Sequence, residues 1–135
     1  TRPDMAFAIN LLTRFLKVAT WAHVTIATGR PLAYLAGTVS FGIVFAPGTK
    51  DWFAYGTADA DLAGDLNSSC STSGRTMQIG EYGNISCSSK LDKKVSTSTG
   101  QAETRAIVEL LKEIVWVRHL MEDLGFEQTG ATPAY

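Results

Sequence analysis

Cysteine is scarce in this 135-residue chain: Cys70 and Cys87 are the whole complement, and no Cys-x-x-Cys pair occurs. That excludes a zinc site built on paired thiolates, and it suits a reducing compartment. A net basic field is also missing, because 12 Lys and Arg face 13 Asp and Glu for a formal charge of −1. Contact with phosphate would therefore have to be local. No apolar run is long and uncharged enough to span a bilayer, so no membrane partner is expected. No signal peptide precedes Thr1-Arg2-Pro3-Asp4, which opens directly on a helix start, and a secreted location is not expected. The far end, Gly130-Ala131-Thr132-Pro133-Ala134-Tyr135, stops as though a strand were about to begin. The chain reads as a piece of a longer polypeptide.

What is present is a 45% hydrophobic composition, enough for one real core. A first helix is expected over residues 3–18, with Pro3 in its first turn, Asp4 at the positive dipole end, and Met5, Ile9, Leu12, Phe15 and Leu16 on one face. Thr20 caps a second helix reaching toward Ala36, with Leu32 and Leu35 inward. Gly29-Arg30-Pro31 should kink or break it. Residues 41–45 read as a short strand, and 47–51 as turn chemistry leading into a strand that ends at Asp59. A polar loop over 64–74 precedes two strands, 75–79 and 84–88, joined through 80–83 as a meander. Residues 89–100 form a polar linker carrying Lys90, Lys93 and Lys94. A long helix over 99–124 follows, stopped by Gly125, with Leu110, Ile114, Trp116 and Met121 as core and Arg105 paired to Glu109 on its solvent face. The fold class is α/β: two N-terminal helices (1–38), then a three-stranded meander and a long helix (39–135).

Two acids stand where packing rules favour apolar residues. Period-2 alternation puts Asp59 and Asp61 on one face with Phe53, Tyr55 and Thr57. Helical spacing puts Glu103 in a stripe with Ala106, Ile107, Leu110 and Ile114. An unpaired carboxylate on a buried face costs several kcal/mol in order of magnitude, so it needs a partner, and a metal ion is one. The pattern points to a divalent-metal site shared between a strand and a helix.

Six blocks in order give the chain a resemblance. Tyr34-Leu35 with Gly37-Thr38, Asp59-Ala60-Asp61 with Ala63-Gly64-Asp65, Ser71-Thr72-Ser73-Gly74, Ser88-Ser89-Lys90, Ala102-Glu103 with Ala106, and Trp116-Val117-Arg118 through Leu124-Gly125 all fit one pattern. The chain resembles the Pol polyprotein of copia-type LTR retrotransposons, from the end of the reverse transcriptase into its RNase H domain. The resemblance implies a truncated ribonuclease H-like fold over 39–135, with Asp59 and Glu103 as catalytic, metal-binding acids and Asp61 as a lesser candidate ligand. It implies two Mg²⁺ ions, or Mn²⁺, and hydrolysis of the RNA strand of RNA–DNA hybrids. Ser71 and Ser73, with Lys90, Lys93 and Lys94, would meet the nucleic acid. The rest of the polyprotein is the implied partner, and a virus-like particle in the cytoplasm, or the nucleus, the implied location. The family's next acid lies in an Asp-Asn-Gln block a few residues past Tyr135, so two carboxylates here would not hold both ions firmly.

The chain also departs from the pattern. Gly29, Ala33 and Ala36 stand where the family is usually basic, Leu62 and Cys87 where tryptophan is usual, Gln101 where an acid is common, and Thr104 where an aromatic is. A second reading is therefore a non-catalytic relic or connection piece, and a third is an α/β binding module that matches by chance. Asp-x-Asp alone is more often turn chemistry than a metal site. Asp65 reads as a loop acid, and neither His23 nor His119 is given a catalytic role. With central strands of the sheet missing, the Ile107 and Leu110 face would be partly uncovered and stability marginal.

Overall fold

The computed structural model describes residues 2–45, 52–80 and 83–135. The expected turn at 47–51 lies outside them, as do residues 81 and 82 at the centre of the 80–83 connection. The chain divides into two compact units, Thr1–Ile43 and Val44–Tyr135.

The first unit opens on a 3-10 turn, Pro3–Met5, which runs into helix α1, Ala6–Thr13. The helix stops five residues short of the expected 18, and of its predicted face only Met5 is buried, while Ile9 and Leu16 are exposed. Helix α2, Trp21–Gly37, begins on a reciprocal cap: His23 N donates to Thr20 Oγ1 and Thr20 N donates to His23 Nδ1. It then runs unbroken through Gly29-Arg30-Pro31, against the expected break. Proline removes one backbone donor, and the turns on either side supply the rest of the ladder. Arg2 ties the unit's start to its end, donating to Asp4 Oδ2 at 2.7 Å and to Thr38 O at 3.0 Å.

The second unit is an α/β layer. Strands β1 (Ala54–Ala60), β2 (Thr72–Ile79) and β3 (Gly83–Leu91) form an antiparallel sheet in that spatial order, and α3 (Thr99–Asp123) covers one face. The register runs Asp59↔Gly74 and Ala60↔Ser73, then Ser73↔Lys90 and Arg75↔Ser88. Both β2 and β3 outgrow their predicted lengths, which takes residues 72–74 out of the expected loop and Lys90 out of the expected linker. Their extensions are mostly Ser, Thr, Gly and Lys, residues whose strand state comes from pairing with a neighbour. The strand expected at 41–45 is absent, since its backbone finds no ladder among the described residues.

One further strand-like contact lies on the free edge of β1. Tyr135 N donates to Gly56 O at 3.0 Å, Gly56 N to Pro133 O at 3.1 Å and Ala58 N to Tyr135 O at 2.7 Å, a parallel pairing. Gln128 pins the approach, with its Oε1 accepting from Ala54 N at 3.1 Å and its Nε2 donating to Trp52 O at 2.6 Å.

The core corrects the predicted faces. Ala54, Gly56 and Ala60, not Tyr55, Thr57 and Asp59, are the buried residues of β1, and they pack against α3. The helix buries Ala102, Ala106, Leu110, Ile114, Val117 and Met121. Trp116, expected in the core, is 61% exposed, and Ile107 is 41% exposed although Leu110 is fully covered. Small residues on β1 let the helix approach closely, so the aromatic side chains take the outer face. No helix among the described residues is long and apolar enough to cross a membrane.

Candidate functional site

Alanines decide where the acids lie. Ala60 at the end of β1 packs with Ala102 and Ala106 on the first turns of α3, with Ala58 beside them. Asp59 immediately precedes Ala60 and Glu103 immediately follows Ala102, so the backbones of the two acids flank one contact, while alternation turns the Asp59 side chain to the face of β1 away from α3. Ser98 starts the helix there, its Oγ accepting from Gln101 N at 3.2 Å.

Both carboxylates are exposed, contrary to the expectation that they occupy buried faces. Asp59 belongs to the outer face of β1, and Glu103 lies on the exposed side of α3, between the buried Ala102 and Ala106 in sequence. Neither acid is therefore a buried, unpaired charge. Asp59 is instead held locally: its Oδ1 accepts from Ala60 N at 2.8 Å. Alternate amides of β1 point to one edge; Ala58 N donates there to Tyr135 O, and Ala60 N, the next on that edge, is met by the Asp59 carboxylate. Glu103 forms no ion pair among the described residues.

Carboxylate oxygens suit Mg²⁺ or Mn²⁺, and exposed ones are free to bind them. Their number fits one partly ligated ion better than two. Among the described residues, no three His, Cys, Asp or Glu side chains converge as a metal site. Asp61 is turned to another task, since its carboxylate accepts from Thr72 N and lies against Gly64. Asp65 is a buried loop acid whose Oδ2 accepts from Ser68 N at 2.9 Å and from Ser68 Oγ.

The lysines gather elsewhere, on β3 and the segment that follows it. Lys90, Lys93 and Lys94 line a cavity of ≈ 400 Å³ together with Arg75, Arg105, Asp92 and Glu109. Arg105 does not pair with Glu109 as expected; it donates to Lys94 O at 2.9 Å and to Ser96 Oγ at 2.9 Å, bracing the segment that carries two of the lysines. Glu109 takes Lys112 instead, and that hydrogen bond holds its carboxyl below the usual range. Arg75 is bridged to Glu113 at 2.7 Å, which leaves Arg105 and the three lysines as the cations of this cavity without an ion pair among the described residues. Ser71 and Ser73, expected to face nucleic acid, are buried: Ser71 Oγ accepts from Ala63 N at 3.3 Å, and Ser73 Oγ donates to Asp92 Oδ1 at 2.8 Å. The reading from residues alone missed Arg75, Arg105 and Asp92. Alternation along β2 and β3 held a signal for Arg75, because Ser73, Arg75, Ser88 and Lys90 share the α3 face through their pairings.

The chain is 39% identical over its whole length to a retrovirus-related Pol polyprotein from transposon RE1 of Arabidopsis thaliana, of which it spans 9%. It is 38% identical over 95% of its length to a retrovirus-related Pol polyprotein from transposon TNT 1-94 of Nicotiana tabacum, again spanning 9%. A shorter relative is the secreted RxLR effector protein 161 of Plasmopara viticola, 36% identical over 87% of this chain and 80% covered by it. No protein-family profile matches the chain, and no solved structure does.

Proposed function

Because this chain belongs to the Pol polyprotein family of copia-type retrotransposons, we propose that residues 39–135 are the opening half of its RNase H-like domain and 1–38 the end of the reverse transcriptase. The activity would belong to the polyprotein: metal-dependent cleavage of the RNA strand of an RNA–DNA hybrid during reverse transcription, in the cytoplasm or nucleus.

One observation carries this reading. Residues 133–135 pair in parallel along β1 and reach Ala58, next to Asp59. A strand continued in that register for a few residues runs beside Asp59, where the family resemblance places its next acid. Three carboxylates from two neighbouring strands and α3 would then meet at one corner. Asp59 and Glu103 would hold the ion, Asp59 through Oδ2 while its Oδ1 keeps the hydrogen bond to Ala60 N. Bound Mg²⁺ supplies activation of water and stabilisation of the leaving 3′ oxygen. The residues of this chain contribute the fixed distance between strand and helix that the Ala60, Ala102 and Ala106 contact sets. Lys90, Lys93 and Lys94 would take phosphates of the DNA strand, while Ser71 and Ser73 act from inside by holding the loop and the Asp92 turn.

A second reading is favoured by the lack, among the described residues, of three converging metal-binding side chains and by the short relative that this chain largely covers: a non-catalytic piece that keeps the framework without the chemistry. Cleavage assays on a labelled hybrid, using protein extended through the next acid with Asp59→Asn beside it, separate the two. Mg²⁺-dependent RNA cuts that vanish in the variant support the nuclease. Folded, inactive protein supports the second reading.

A further inference from the structure

We infer that Asp61 is a positioning residue for Asp59, acting through a latch at the neck of the β1–β2 loop, and not a metal ligand. The inference rests on the reading of Asp59 as a ligand. The β1–β2 ladder ends at Ala60↔Ser73. One step beyond, Asp61 N donates to Thr72 O at 3.2 Å, and Thr72 N donates back to the Asp61 carboxylate. The side chain thus supplies the pairing that the backbone no longer makes, and it closes the loop at its neck. Gly64 belongs to the same device, since a Cβ built there would run into the Asp61 carboxylate. With one oxygen on Thr72 N and the other over Gly64, the carboxylate is committed to the loop.

The neck is anchored on its far side. Ala63 turns with φ 54°, in the left-handed region, and its N donates to the fully buried Ser71. Ser71 O accepts from Asp92 N at 2.8 Å, so the exits of β1 and β3 are tied through one buried residue. Asp59 lies two residues upstream of this closure, at the last turn of freedom before the strand leaves the sheet. Opening the latch frees that exit and loosens the Asp59 contact with Ala60 N.

Three variants separate positioning from ligation. Asp61→Asn keeps a carbonyl acceptor for Thr72 N but loses the charge; Asp61→Ala loses both. Gly64→Ala keeps every acid and displaces the carboxylate. The readouts are hydrogen exchange at the Thr72 and Ala60 amides, and the midpoint of Mn²⁺-induced broadening at Ala60. Positioning predicts that Asp61→Asn stays near wild type in all three. Asp61→Ala and Gly64→Ala would both speed exchange at Thr72 and Ala60, by about fivefold for one ordinary hydrogen bond, and raise the Mn²⁺ midpoint. An Asp61→Asn protein as impaired toward Mn²⁺ as Asp61→Ala, with Gly64→Ala unaffected, would make Asp61 a ligand and overturn the inference. Unchanged exchange at Thr72 and Ala60 in Asp61→Ala would overturn it as well. If wild type shows no Mn²⁺ broadening, the metal reading of Asp59 fails, while the two exchange rates still decide whether the latch holds this corner.

Discussion

Leu110 lies directly over Gly56: a Cβ added to the glycine would stand 2.5 Å from Leu110 Cδ1. This is the closest constraint on how α3 meets β1, and it lies midway between the acid corner and the Gln128 anchor. Gly56→Ala forces the helix outward and should destabilise by roughly 1–3 kcal/mol, as overpacking does. Leu110→Ala alone should cost about 2–5 kcal/mol through the cavity it leaves. The two are in contact, so their effects should not add. In chemical denaturation, Gly56→Ala should cost less in the Leu110→Ala background than in wild type. Strict additivity would mean that the glycine does not set the approach.

The Lys90, Lys93 and Lys94 cavity gives a second expectation. If these side chains meet phosphates, each change to alanine weakens hybrid binding without regard to sequence. Each should also lower the slope of log affinity against log salt by about one. Binding of a labelled hybrid across a salt series measures this. A slope unchanged in the triple variant would remove the lysines from the interface.

The first unit carries a pH signature of its own. Asp4 is held down to about 2 from its ordinary 3.8, mainly by the Arg2 hydrogen bond and further by Tyr34, whose hydroxyl donates to it at 2.8 Å. A depressed carboxyl stabilises the folded form in full above its ordinary value, and the contribution is lost as pH falls through about 2. Carboxyl titration by NMR should place the Asp4 midpoint near that value and return it toward 3.8 in Arg2→Ala. A midpoint already at 3.8 in wild type would contradict the Arg2 contact.

Much of the second unit was legible because a long helix announces itself. Leu110, Ile114 and Met121 recur at helical spacing, and α3 begins and ends within a residue of where Gly125 and the 99–124 pattern place it. Trp116 misled by size: it lies next to Val117 in sequence but about 100° round the helix from it, off the covered face. The face of β1 misled in a related way. Alternation gives two faces without saying which is inside, and the aromatic one looked like the core. Close helix packing instead selected Ala54, Gly56 and Ala60, so Asp59 emerged on the exposed side. Nothing local in Ser71, Ser73 or Lys90 foretold their places, because long-range pairing with β3 and Asp92 sets them. Asp59 and Glu103 are candidates from the family pattern alone, whereas the packing of β1 on α3 beside them rests on three alanines that carry no chemical signal.

Whether Asp59 and Glu103 bind one ion together is the measurement that tests this account most directly. Mn²⁺ added to isotope-labelled protein should broaden the Ala60 and Glu103 amide signals in the same titration, with one midpoint. Asp59→Asn and Glu103→Gln should each raise the midpoint for both signals. Both acids are exposed, so these changes should leave stability within about 0.5 kcal/mol. Broadening at only one of the two positions, or a midpoint that responds to only one of the two variants, would contradict a shared metal site.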